Sequence, residues 1–253
     1  MPGIDTFGGA VASVEEHYEN LLARHYSWMR GDYDSKLRES LIFFQEAGVS
    51  PRSGGKALDL GCGSGFQSMA LAELGFAVLG VDTSGVLLEE LRSRAGDREI
   101  RPVLGDIRDP GVYAAEGPFE VAVCMGDTLT HLATSGDVEA LVGDVRDAME
   151  VGGTLIFEFR DYTAELKGAE RAIPVRMEDD RIMVTFLEYE AGRVNVHDMI
   201  FEKGSHGWEA KKSAYQKLRL GSDEVAGFLE QAGFRIVSRG EDVGFVRIVA
   251  LAQ

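Results

Sequence analysis

Three glycines at alternate positions close the segment Asp59-Leu60-Gly61-Cys62-Gly63-Ser64-Gly65, directly after an apolar run that starts at Ala57. Glycine accepts backbone angles, and a closeness of ligand approach, that any side chain would forbid. A turn of this composition between a strand and a helix therefore suits a nucleotide, although a tight structural turn would read the same. The next apolar run, Val78-Leu79-Gly80-Val81, ends at Asp82-Thr83. A carboxylate there can accept both hydroxyls of a ribose, or simply cap the following helix. Gly105-Asp106-Ile107 closes a third run, where Asp106 could equally be a loop acid, and Phe119–Met125 forms a fourth.

Two nucleotide ligands compete for this pattern. The dinucleotide fingerprint G-x-G-x-x-G sets a pyrophosphate on a helix N-terminus, but here the third glycine comes one residue early and Asp59 stands just before the loop. A carboxylate repels a pyrophosphate and attracts an ammonium group. The pattern thus favours an amino-acid nucleoside, S-adenosylmethionine, over NAD.

The elements around these residues alternate. Short apolar runs at Ala57–Leu60, Ala77–Val81, Ile100–Leu104, Phe119–Met125 and Thr154–Phe159 are separated by helical patterns at Phe66–Leu74, Val86–Arg94 and Val138–Met149. Such alternation implies right-handed βαβ units and an α/β fold with a doubly wound, mostly parallel sheet. Before it, residues 1–50 read as two helices forming a cap. After it, Ala172–Arg176, Arg181–Glu190, Arg193–Glu202 and Trp208–Leu220 are rich in β-branched and aromatic residues and read as antiparallel strands. The helix Asp223–Ala232 and strands Phe234–Ser238 and Val243–Leu251 return to the sheet. The organisation expected is a single domain over 1–253, with a cap at 1–50, a cofactor-binding core at 56–160, a β insertion at 161–220 and a return at 221–253.

Composition excludes several classes. The chain of 253 residues has 26 Lys+Arg against 42 Asp+Glu, a net charge of −16, which argues against nucleic acid because phosphate-backbone binding is driven by basic residues. Its densest basic stretch is Lys211, Lys212, Lys217 and Arg219. Two cysteines make no disulfide framework, the dispersed histidines make no metal site, and no apolar run is long enough for a membrane span. The start, with neither a basic nor an apolar leader region, fits a cytoplasmic protein.

The glycine loop with Asp82, Gly105-Asp106-Ile107 and Phe119–Met125 resembles the nucleotide-binding half of class I S-adenosylmethionine-dependent methyltransferases, over roughly Lys56 to Phe159. The resemblance implies a Rossmann-like methyltransferase fold and a cofactor site at Asp59, Gly61, Cys62, Gly63, Asp82, Thr83, Asp106, Ile107, Cys124 and Met125. The glycine loop would hold the methionine part, Asp82 the ribose, and Asp106 and Ile107 the adenine.

Gly126-Asp127-Thr128-Leu129-Thr130-His131-Leu132 and Phe157-Glu158-Phe159-Arg160-Asp161-Tyr162 are similar to segments of glycine and sarcosine N-methyltransferases, as is the late β insertion. That likeness implies a small polar acceptor, an amine of an amino-acid-like compound, with Arg160 gripping its carboxylate. Paired guanidinium donors suit that task. Asp127 departs from the subfamily's asparagine; a carboxylate attracts an ammonium more strongly but favours keeping it protonated and non-nucleophilic. Tyr26 and Trp28 lie in a stretch suited to a lid, Tyr162 is a further acceptor contact, and Tyr18 reads as a packing residue. His131 is the candidate base of an O-methyltransferase alternative, and a structural donor or cofactor contact fits it equally. A non-catalytic S-adenosylmethionine-binding protein is another alternative. The serine-nucleophile elbow is absent, since the glycines flank Ser64 immediately.

Overall fold

The structure, a computed structural model, describes residues 11–242 and 244–253. The first ten residues, on which the leader reading partly rests, and Val243, where the sequence starts its last strand, lie outside the described residues.

The cap opens with α1 (Val14–His17), whose N-terminus is closed reciprocally by Ser13 and Glu16. A π-helical turn at Tyr18–Leu22 and a 3₁₀ turn at Ala23–His25 lead into α2 (Tyr26–Arg30). The single helix expected here is therefore broken into turns of different pitch. Its apolar side chains serve several surfaces: Leu21 and Leu22 pack on Met183 and Ile200, while Tyr18 and Tyr26 face cavities. A uniform 3.6-residue repeat would present one stripe only, and π-turns are frequent where function redirects a helix. Next comes α3 (Tyr33–Glu46), capped by the Asp32 carboxylate accepting Ser35 N–H at 2.9 Å.

The core alternates as expected: β1 (Lys56–Leu60), α4 (Phe66–Glu73), β2 (Ala77–Asp82), α5 (Gly85–Ala95), β3 (Ile100–Leu104), β4 (Phe119–Cys124), α6 (Ser135–Asp147) and β5 (Met149–Phe159). Four antiparallel strands follow, β6 (Ala172–Met177), β7 (Arg181–Glu190), β8 (Arg193–Gly204) and β9 (Gly207–Leu218), paired in that order as a second sheet. Then α7 (Ser222–Gln231), β10 (Phe234–Asp242) and β11 (Phe245–Ala252) rejoin the 7-stranded main sheet, ordered β10-β11-β5-β4-β1-β2-β3.

Within that sheet β3, β2, β1, β4 and β5 run parallel, and β11 is antiparallel to both its neighbours. Parallel strands covered on both faces read as continuous apolar runs, and every residue of β4 is buried. Leu141, Val145, Val225 and Leu229 of α6 and α7 cover one face; Phe44, Ala70 and Leu71 of α3 and α4 cover the other. Strand order reverses between β1 and β4, so a crevice opens beyond their carboxyl ends.

The second sheet is fastened to the cap rather than to the core helices. His17, fully buried, meets Asp198 of β8 at 3.0 Å and stacks on Tyr215 of β9 at 4.0 Å between centroids. Trp28 donates from Nε1 to Glu178 at 2.8 Å and lies under the guanidinium groups of Arg176 and Arg181. No helix among the described residues is long and apolar enough to cross a membrane.

Candidate functional site

Two cavities meet at the carboxyl ends of β1 and β4. The smaller, about 340 Å³, is lined by Gly61, Gly63, Asp82, Thr83, Asp106 and Ile107 among others. Gly61, Gly63 and Gly65 have φ of +75°, +52° and +92°, left-handed angles that few side chains tolerate. A Cβ on Gly61 would also drive into Thr128, and one on Gly65 into Leu91. The loop is tied down by the N–H groups of Gly61 and Cys62 donating to the Val81 carbonyl at 2.8 and 3.1 Å. Asp82 braces it, accepting Gly63 N–H at 2.8 Å on one oxygen and Ser84 N–H at 2.8 Å on the other. Burial holds the Asp82 carboxyl above its ordinary pKa. Asp106 is clasped by Arg108, whose hydrogen bond lowers its pKa.

Three residues expected around the cofactor have buried side chains that line neither cavity. Asp59, 1% exposed, lines neither cavity; its carboxylate accepts the Ser68 hydroxyl at 2.6 Å beneath the loop. Burial pushes its pKa up to about 7, so the argument for a carboxylate facing an ammonium group loses its geometry. The Cys62 and Cys124 side chains are buried and line neither cavity. Met125 opens onto the larger space.

That larger space, a cleft of about 910 Å³, lies between the cap, the second sheet and the ends of β5 and β11. Tyr18, Tyr26, Gly126 and His131 line both cavities and so form the wall between them. Tyr26 stands over the bare backbone of Gly63 and Gly126: a Cβ on those glycines would lie 3.5 and 3.8 Å from its ring and hydroxyl.

Asp127 sits on the cleft floor with φ +81°, a left-handed angle rare outside glycine. Every direction around its carboxylate is filled. Oδ1 accepts Arg160 N–H at 2.9 Å and the Thr130 hydroxyl at 3.0 Å; Oδ2 accepts the Tyr162 hydroxyl at 3.1 Å and the Lys217 ammonium. Burial works to raise its pKa, but Lys217's charge and these hydrogen bonds hold it below the ordinary value. The expectation that Asp127 draws in an acceptor ammonium therefore meets a different finding: its charge is already matched.

His131 contacts the rings of Tyr18 and Tyr215 at 5.7 and 5.6 Å between centroids. Burial, and then the Lys217 charge, push its pKa down to about 3, leaving a neutral imidazole. The Arg160 guanidinium faces the cleft, stacked 4.1 Å over Phe245, with no ion pair to a described residue. Tyr162 is also in the cleft. Arg30 lies 5.7 Å over Phe66, the first residue after the glycine loop, and its Nε is buried without a partner among the described residues.

The sequence reading missed Lys217, Tyr18, Tyr215 and Arg30. Lys217 lay in what looked like a surface basic stretch. It lies two residues after the buried Tyr215 on β9 and so shares its inward face, a signal that period-2 patterning alone could have supplied.

Comparison with known proteins matches the chain to methyltransferases. A protein-family model described as a methyltransferase domain matches residues 57–153. Cypemycin N-terminal methyltransferase from Streptomyces sp is 31% identical over 136 residues, 53% of this chain and 54% of that protein. Glycine/sarcosine N-methyltransferase from Halorhodospira halochloris is 29% identical over 136 residues, 52% of this chain and 49% of that protein. The chain thus spans about half the length of the curated relatives it matches. Among solved structures, the S-adenosylmethionine-bound amino pentose methyltransferase CalS10 from Micromonospora echinaspora superposes with TM-score 0.73 at 17% identity, covering 98% of this chain and 100% of that one. At that identity the likeness speaks for the fold.

Proposed function

We propose that this chain, which belongs to the class I S-adenosylmethionine-dependent methyltransferases, moves a methyl group to the amine of a small molecule held in the larger cleft. The observation that carries this reading is the wall of Tyr18, Tyr26, Gly126 and His131 shared by two otherwise separate cavities. A reaction across that wall needs only two ligands laid end to end.

The residues of the smaller cavity fit the cofactor by chemistry. The bare glycine backbone gives close approach, Asp82 offers acceptors to a ribose, and Asp106 and Ile107 line the far end. Arg30 lines the larger cleft rather than the smaller cavity, but it stacks on Phe66 just after the glycine loop with its Nε unpartnered among the described residues, and it is the cation we assign to the cofactor's carboxylate. When bound, S-adenosylmethionine supplies a methyl group on a sulfonium, which leaves readily. What remains for the protein is alignment and exclusion of water, and alignment is worth up to ~7–11 kcal/mol in well-held systems.

On the acceptor side a neutral His131 can accept a hydrogen bond from an amine N–H. With a pKa near 3 it is too weak to take a proton from a hydroxyl at neutral pH, which favours an amine over an alcohol or phenol. The Lys217–Asp127 pair keeps the floor neutral in sum, so nothing there stabilises an ammonium form. Of the relatives described above, one is named an N-methyltransferase and the other an N-terminal methyltransferase, which supports the same choice. Arg160 is the group we assign to an acidic substituent of the acceptor.

The test is twofold. Titration with S-adenosylhomocysteine should give saturable binding, and NAD should give none. Methyl transfer should then reach free amines and spare the N-acetylated and hydroxy analogues; transfer to hydroxyls alone would overturn the amine reading.

A further inference from the structure

The cleft facing the shared wall is far roomier than a free amino acid requires. At about 910 Å³ it lies at the upper end of the roughly 300–1,000 Å³ of sites that bury drug-sized ligands. Its inner end is polar: Lys217 pairs with Asp127 and Arg247 with Glu158 and Asp242, His17 meets Asp198, and Arg30 and Arg160 have no ion pair among the described residues. Further out apolar side chains join the lining, through Met29 of α2, Ile173 and Val175 of β6 and Phe245 of β11, while Leu187 of β7 and Val196 of β8 belong to the buried cluster against which Ile173 packs. Exposed Glu46 and Glu241 stand on the rim, where negative charge draws in a cation.

A compact zwitterion such as glycine would leave that apolar wall against water and gain nothing from it. Affinity from such a surface comes through the apolar area that a ligand covers. We infer that the acceptor is an amine carrying an apolar body of drug-like size. Its amine end meets the wall of Tyr18, Tyr26 and His131, and its body lies along Met29, Ile173, Val175 and Phe245. This inference rests on the methyltransferase reading and replaces the compact amino-acid-like acceptor with a bulkier one.

The experiment first titrates the protein with S-adenosylhomocysteine, so that failure of the cofactor reading shows separately as absence of binding. With binding in hand, kcat/KM is measured for glycine, sarcosine, phenylalanyl-leucinamide and octyl 3-amino-3-deoxyglucoside. The two large probes distinguish a peptide-like from a sugar-like body. At least one of them should exceed glycine by on the order of 100-fold, the gain expected from covering three or four methylene groups. Ile173→Asp, on an edge strand, should cut that preference by about tenfold or more while leaving S-adenosylhomocysteine affinity within about twofold. Glycine or sarcosine used as well as the large amines, no turnover of either large amine by protein that binds S-adenosylhomocysteine, or a preference untouched by Ile173→Asp would each overturn the inference.

Discussion

The smaller cavity and the larger cleft are built in contrasting ways. The first is floored by strand ends of one parallel sheet and closed by Ser13, Val14, Glu15, Tyr18 and Tyr26 of the cap, and main chain does much of the work: glycines in left-handed angles, N–H groups on Asp82, a loop hung from Val81. The second is made by side chains brought together from the cap, the second sheet and the ends of β5 and β11, tied by the buried Lys217–Asp127 ion pair and the His17–Asp198 contact. A backbone site needs a few neighbouring residues in order. A side-chain site needs distant residues to converge, and each buried charge in it must bring its own partner.

That contrast can be broken at several points. The largest effect should come from Lys217→Met, which leaves Asp127 buried and unpaired. A loss of ~3–5 kcal/mol in unfolding free energy by denaturant titration is expected, with much of it recovered in the double variant with Asp127→Asn. A loss under about 1 kcal/mol would mean that the pair is not buried as described.

Asp59→Asn probes the underside of the glycine loop. Because burial raises the folded-state pKa to about 7, above the ordinary value near 4, the native state binds the extra proton. Stability should therefore fall by a few kcal/mol as pH rises from about 4 to 7. The asparagine variant should lose that slope in pH-dependent unfolding, and an unchanged slope would assign it to other groups.

Smaller still, Arg160→Ala should raise KM about tenfold to 100-fold for acceptors bearing a carboxylate, from loss of charged hydrogen bonds worth ~1.5–3 kcal/mol. It should leave uncharged acceptors alone; equal effects on both would deny it that contact. The least effect is expected for His131→Gln, which keeps a hydrogen-bond acceptor: kcat should fall less than about tenfold. The wild-type rate should show no imidazole inflection near pH 6.5. Linkage gives the matching sign, since a depressed folded pKa means stability is lost as pH falls below about 6.5 toward 3.

The same contrast explains what could be read in advance. The alternating strands and helices, the parallel sheet and the antiparallel strands after β5 follow from local periodicity, and the glycine loop follows from residues next to one another. Asp59 misled because its position before the loop gave no hint that its side chain turns under it to Ser68. Alternation with Tyr215 could have turned Lys217 inward, but not its role: its partner Asp127 follows β4, 90 residues earlier in the chain. The broken cap helix was equally hidden: helical spacing at Tyr18, Leu21, Leu22 and Tyr26 is compatible with one stripe, and only the cavities on either side demand the π-turn.

Calorimetric titration of S-adenosylhomocysteine into wild type, Asp82→Ala and Lys217→Met tests the division between the two regions most directly. Binding should weaken by about 30- to 100-fold in Asp82→Ala, where two hydrogen bonds to a buried carboxylate are lost, and stay within about threefold in Lys217→Met at a temperature where that variant is folded. Equal weakening in both would contradict the account, because it would make cofactor and acceptor regions a single, inseparable site.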